Sequence, residues 1–165
     1  MLLSHPAHTI ALGFGSGLSP IAPGTVGTLW AWLSFVLLQP WLSHSGWAWL
    51  LAVSLVLGWW ACTVTARNMQ VLDPGSIVWD EIVAFWLVLW LVMPTGWLGQ
   101  LLAFGLFRFF DAVKPGPVGW ADRLFHNNAT GSDPWVWCKA GFAIMLDDLV
   151  AAFCTLLLIA AWVWW

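Results

Sequence analysis

The sequence predicts an all-α, polytopic membrane protein of about five apolar helices preceded by a Gly/Pro-rich re-entrant or interfacial segment. Three observations predict it. Of the 165 residues, 61% are hydrophobic and 8% charged, against roughly 45–50% and about 25% in soluble domains. Five long apolar runs are separated by short polar breaks. All five Lys and Arg residues fall in or beside one alternate set of those breaks. A spanning helix takes about 20 apolar residues, so the runs nearly exhaust the chain. Residues 1–165 are therefore expected to form a single integral-membrane domain.

The first element is the segment 13–27, whose five glycines and two prolines argue against a regular helix. Its interleaved apolar residues suggest an element lying at or dipping into the membrane, which is tolerated where protein or water satisfies the backbone. The apolar run 26–42 follows, ended by Gln39-Pro40 and the polar residues 43–46. Run 47–66 stops at Arg67-Asn68, and 67–76, with Asp73-Pro74-Gly75, reads as a loop. Run 77–93 is apolar except for Asp80 and Glu81 near its start, and Pro94-Thr95-Gly96 makes a short turn. Run 97–110 carries Arg108 near its end and is stopped by Lys114-Pro115-Gly116-Pro117. A polar loop over 119–139 leads to the last run, 142–165, with Asp147 and Asp148 in its first two turns.

Short turns make successive helices alternate in direction. The N-terminal segment, the 67–76 loop and the 119–139 loop then share one face, which holds Arg67, Arg108, Lys114, Arg123 and Lys139, while the opposite turns hold no Lys or Arg. Positive residues mark the cytoplasmic side. Trp41, Trp47, Trp97, Trp162, Trp164 and Trp165 would form the outer aromatic belt. The first positive side chain is Arg67, so the N-terminus lacks the basic region of a secretory signal and is expected to be retained. Cys62, Cys138 and Cys154 are too widely spaced to suggest a disulfide framework or a zinc site. The expected partner is the bilayer and its lipids, with no nucleic acid.

On this topology Asp80, Glu81, Asp111, Asp147 and Asp148 converge on the cytoplasmic side from three helices. A single acid at a helix start is favourable through the macrodipole, but Asp147 and Asp148 sit inside an apolar stretch. Ionised carboxylates in a span cost about 2.5–3.5 kcal/mol at the bilayer centre, and packed together they repel, so something positive should bind among them. Carboxylates without His or Cys favour Mg²⁺, Mn²⁺ or Ca²⁺ over zinc. The alternatives are a proton path or structural pairing with Arg108 and Lys114. Consecutive acids on a helix point about 100° apart, so each pair can serve two neighbours.

Arg108, Asp111 and Lys114 are spaced to form a local ladder of ion pairs. Alternatively, the two cations beside a carboxylate–metal cluster would hold a phosphate, helped by backbone N–H groups of 13–27 or by the hydroxyls of Ser16, Ser19 and Thr25. Covalent phosphatase signatures are missing: Cys62 and Arg67 are one residue too close for a cysteine-phosphatase cradle, and no Gly-x-Ser-x-Gly elbow occurs. Metal-activated water is the simplest nucleophile left. Metal, anion-binding cations and a membrane location imply work on a phosphorylated lipid, against a cation or proton transporter. A transporter would need a polar path through the apolar outer halves of the helices.

Four stretches together resemble the phosphatidylglycerophosphatase A family. They are Gly13-Phe14-Gly15-Ser16-Gly17-Leu18-Ser19-Pro20 with Pro23-Gly24-Thr25, Gly75-Ser76-Ile77-Val78-Trp79-Asp80-Glu81, Phe107-Arg108-Phe109-Phe110-Asp111 with Lys114-Pro115, and Ile144-Met145-Leu146-Asp147-Asp148. The resemblance implies a bacterial inner-membrane enzyme that uses Mg²⁺ to remove the terminal phosphate of phosphatidylglycerophosphate, giving phosphatidylglycerol; the alternative substrate is another lipid or polyprenyl phosphate. It also implies that Asp80, Glu81, Asp111, Asp147 and Asp148 are the functional acids and metal ligands, with Arg108 and Lys114 the basic positions. The chain departs from the family in a longer loop over 124–138, in Ala84 and Ala152 at small-glycine positions, and in having one glycine, Gly141, before the last acidic pair.

Overall fold

In a computed structural model, residues 5–119 and 134–164 are described. Every regular element among them is helical: α1 (Pro6–Ala11), a 3₁₀ segment (Gly13–Leu18), α2 (Pro23–Leu38), α3 (His44–Met69), α4 (Trp79–Val92), α5 (Trp97–Val113) and α6 (Pro134–Trp164). The boundaries follow from capping chemistry. Pro6 and Pro23 open α1 and α2, where a missing N–H costs nothing. The Ser43 hydroxyl accepts from the Gly46 N–H, 3.1 Å away, to cap α3. Gln70 and Lys114 end α3 and α5 in the left-handed conformation, at φ 55° and 47°.

The five apolar runs correspond to α2 through α6, with shifted ends. Among the described residues only α3 and α6, at 26 and 31 residues, are long and apolar enough to cross a membrane, not all five runs. The turns around the other three trim α2, α4 and α5 to 16, 14 and 17 residues, below the roughly 20 that a full crossing takes. The segment 13–27 is more regular than expected. Phe14 and Gly15, at φ 55° and 105°, kink its 3₁₀ turn, but Pro23 already starts α2, so residues 23–27 are ordinary helix despite their glycines. The largest shift is in α6, which starts at Pro134 rather than 142. Residues 134–139 are therefore helical, and Asp147 and Asp148 lie near the middle of this helix instead of in its first two turns. Arg123, Trp165 and the 124–133 part of the long loop lie outside the described residues.

The long helices α3 and α6 pack along each other. Their contact is close: a Cβ on Gly141 would lie 2.7 Å from the Thr63 backbone nitrogen, which only glycine avoids. One half of this pair is flanked by α1, where the buried His8 ring sits 2.9 Å from the Thr65 hydroxyl (Nδ1) and 3.1 Å from the Asn68 amide (Nε2). The other half is flanked by α4 and α5, with α2 against α4. The helix α4 is the most enclosed element: Ile82, Val83, Ala84, Phe85, Val88 and Leu89 are all buried. Trp41, Trp97, Trp162 and Trp164 are exposed. Trp47 is not. It is buried and stacks on Phe35 with ring centroids 4.5 Å apart.

Candidate metal and phosphate site

The start of α4, the end of α5 and the middle of α6 meet at one level, and that level is where the acids gather. Asp80 and Glu81 occupy the first turn of α4, where the helix dipole favours negative charge. Being consecutive, they point to different neighbours. Glu81 turns toward α2 and α5, while Asp80 is buried within electrostatic range of Asp147 and close enough to Cys62 on α3 to influence it. Asp148 lies within range of Asp80, Asp111, Glu81 and Asp147.

One carboxylate oxygen from each of Glu81, Asp111 and Asp148 lies within 4.8 Å of the others. Two full negative charges at that separation repel by about 3 kcal/mol at an effective dielectric near 20. Arg108 relieves part of this. Its Nη1 donates to Glu81 Oε1 at 3.2 Å and to Asp111 Oδ2 at 2.5 Å, and to the Thr28 hydroxyl at 3.3 Å. Lys114 Nζ reaches Asp147 Oδ2 at 2.5 Å. The ladder expected along α5 is thus half realised: Arg108 pairs with Asp111 on its own helix, while Lys114 crosses to α6.

No cation among the described residues pairs with Asp148. Glu81 Oε2, Asp148 Oδ2 and Asp80 Oδ1 are buried without a hydrogen-bond partner, a costly arrangement for carboxylates. These all-oxygen donors, three helices deep, fit a hard divalent cation. Such an ion would be held by Glu81, Asp111 and Asp148, with Asp80 and Asp147 adjacent.

The expected hydroxyls are less directly placed. Ser16 donates to the Gly13 carbonyl and Ser19 to the Ile21 carbonyl, each at 2.8 Å. The Thr25 hydroxyl makes no hydrogen bond among the described residues. The polar contact from α2 comes instead from Thr28, which the sequence reading missed. Gly24, one helical turn earlier and part of the Pro23-Gly24-Thr25 stretch, packs against the same acid: a Cβ there would overlap Glu81 Oε1. Starting the helix at Pro23 is the signal that could have found Thr28, since positions 24 and 28 then share one face.

A family model described as phosphatidylglycerophosphatase A matches residues 9–163. Among curated proteins, the phosphatidylglycerophosphatase A of Escherichia coli is 38% identical over 149 residues, covering 90% of this chain and 78% of its own. That of Haemophilus influenzae is 38% identical over 163 residues, covering 99% and 92%. A protein of Bacteroides thetaiotaomicron, provisionally named a phosphatidylinositol-3-phosphatase, is 35% identical over 161 residues, covering 94% and 92%. No solved structure matches.

Proposed function

The chain belongs to the phosphatidylglycerophosphatase A family and is a phosphatase, and from that premise we propose that it hydrolyses the terminal phosphate of phosphatidylglycerophosphate to give phosphatidylglycerol, in a Mg²⁺-dependent reaction. The observation that carries the metal dependence is the triad Glu81, Asp111 and Asp148, whose oxygens converge within 4.8 Å while two of them retain a buried oxygen without a partner. The chemistry a divalent cation supplies when bound there is charge neutralisation of the phosphoryl oxygens and activation of water.

The protein's own groups do the rest. Arg108 and Lys114 stand beside the acids and hold the phosphate, Arg108 as a fork and Lys114 as a point charge. Among the described residues the hydrogen bonds of Arg108 run through Nη1, and its other nitrogens are the ones that would meet phosphate oxygens. Thr28 fixes the guanidinium from α2. Asp80 and Asp147 complete the functional acids, and Ser16, Ser19 and Thr25 lie on the segment leading to the site as headgroup contacts.

The enclosing architecture is a single multi-pass domain over residues 1–165 in a bacterial inner membrane, with all five apolar helices within the bilayer and the acids on the cytoplasmic side. The distribution of Lys and Arg supports that orientation. The provisional name of the Bacteroides relative favours one rival substrate, a phosphoinositide. Purified protein assayed across phospholipid monophosphates, with and without EDTA, separates the two. Release of phosphate from phosphatidylglycerophosphate that persists in EDTA overturns the metal dependence, and preference for the phosphoinositide overturns the substrate.

A further inference from the structure

The Lys114–Asp147 ion pair closes one end of the seam between α5 and α6, and the same seam opens farther out into a cleft of about 470 Å³. Its lining is Leu102 and Leu106 from α5 with Leu158, Ile159, Ala161 and Trp162 from α6. None of these carries a polar group except the Trp162 indole N–H. A second cleft, of about 710 Å³, shares Leu102, Ile159 and Trp162 with it and continues toward the outer end of α4.

Helical geometry ties the cleft to the site. Leu158 is eleven residues beyond Asp147, three turns along and nearly on the same face of α6, so it lies about 16 Å farther out. Leu106 is eight residues before Lys114, about 12 Å away along α5. An apolar cleft about 12–16 Å along the same two helices from the Lys114–Asp147 pair matches the span of a phospholipid, with a charged head at the pair and hydrocarbon in the cleft.

We propose that the α5–α6 cleft is the seat of an acyl chain of the lipid substrate and that Leu102, Leu106 and Ala161 set its chain-length preference. This rests on the phosphatase reading above and names the part of the substrate that reading leaves open. Ala161→Trp and Leu106→Trp fill the cleft far from the acids. Phosphate release is measured with a dioleoyl and a dihexanoyl form of phosphatidylglycerophosphate. The variants should raise KM for the long-chain form about tenfold, near 1.4 kcal/mol, while leaving the short-chain form unchanged. Equal losses on both forms, or none on either, overturn the proposal.

A second readout does not depend on turnover. In phosphatidylcholine vesicles doped with a phosphatidylglycerophosphate carrying a chain-end diazirine, photo-adducts should concentrate on the α5 and α6 peptides and fall in Ala161→Trp. Adducts spread over all exposed apolar helix faces overturn it. If the parent protein releases no phosphate from either lipid, the functional reading fails and the adduct map alone decides the cleft. If Ala161→Trp instead converts a dimer to a monomer in native mass spectrometry, with chain-length preference intact, the cleft holds a second copy of this chain and the proposal is wrong.

Discussion

Lys114, at the left-handed end of α5, donates to Asp147 in the middle of α6, 2.5 Å away, and so joins the two helices whose acids Asp111 and Asp148 bring oxygens within 4.8 Å of each other. The conformation that ends α5 also aims this lysine at its partner. Replacing it with methionine removes this charge-assisted hydrogen bond from a buried carboxylate, at a cost of about 1.5–3 kcal/mol.

Lys114→Met should therefore lower the melting temperature in detergent and reduce kcat/KM on the lipid phosphate at least tenfold. Lys114→Arg, which keeps the charge, should recover stability more fully than activity, because a fork and a point charge are not interchangeable at phosphate. Full activity in Lys114→Met would remove this residue from substrate binding.

Asp148 is 3% exposed and faces other acids with no cation among the described residues. Magnesium added to EDTA-stripped protein should raise its melting temperature, since an ion bound at a hundred times its Kd stabilises by about 2.7 kcal/mol. Asp148→Asn and Glu81→Gln should lose both that magnesium-induced rise and phosphate release while remaining membrane-inserted. A magnesium response that survives in both variants places the ion elsewhere.

Gly24→Ala ordinarily favours a helix by about 1 kcal/mol. Here the added methyl would overlap Glu81 Oε1, so the carboxylate must move away from Arg108 and Asp111. We expect a fall in activity of at least tenfold with little change in helical content by circular dichroism. A Gly24→Ala variant as active as its parent would show that Glu81 can occupy another position.

The His8 ring is held below the ordinary imidazole range by burial, with the neighbouring His5 charge adding to it. The unfolded chain then binds the extra proton first, so stability is intact above about pH 6.5 and is lost as pH falls below that value. His8→Gln, which can still hydrogen-bond Thr65 and Asn68, should show a smaller drop in melting temperature between pH 7.5 and pH 5 than the parent. Identical pH profiles would mean that His8 is not the group responsible.

Much of this was legible in the residues, because membrane insertion demands long apolar runs and any acid interrupting one stands out. Asp80, Glu81, Asp111, Asp147 and Asp148 were visible for that reason, and so were Arg108 and Lys114. Partnership was not legible, since it depends on side-chain direction across different helices. The choice of Glu81, Asp111 and Asp148 as the converging triad and the Lys114–Asp147 crossing are facts of three-dimensional packing. So is the support from α2, where Thr28 and not Thr25 faces Arg108.

Composition and motif order by themselves determined a helical, membrane-suited chain with acids and bases grouped in four stretches, because hydropathy and spacing are properties of the chain alone. The tertiary structure decided which helices are long enough to cross a membrane and that the last acidic pair sits mid-helix. It also decided which carboxylates converge closely enough to hold one cation and where the α5–α6 seam opens. Those outcomes depend on how caps set helix ends and how side chains more than twenty residues apart in sequence come within ångströms of one another.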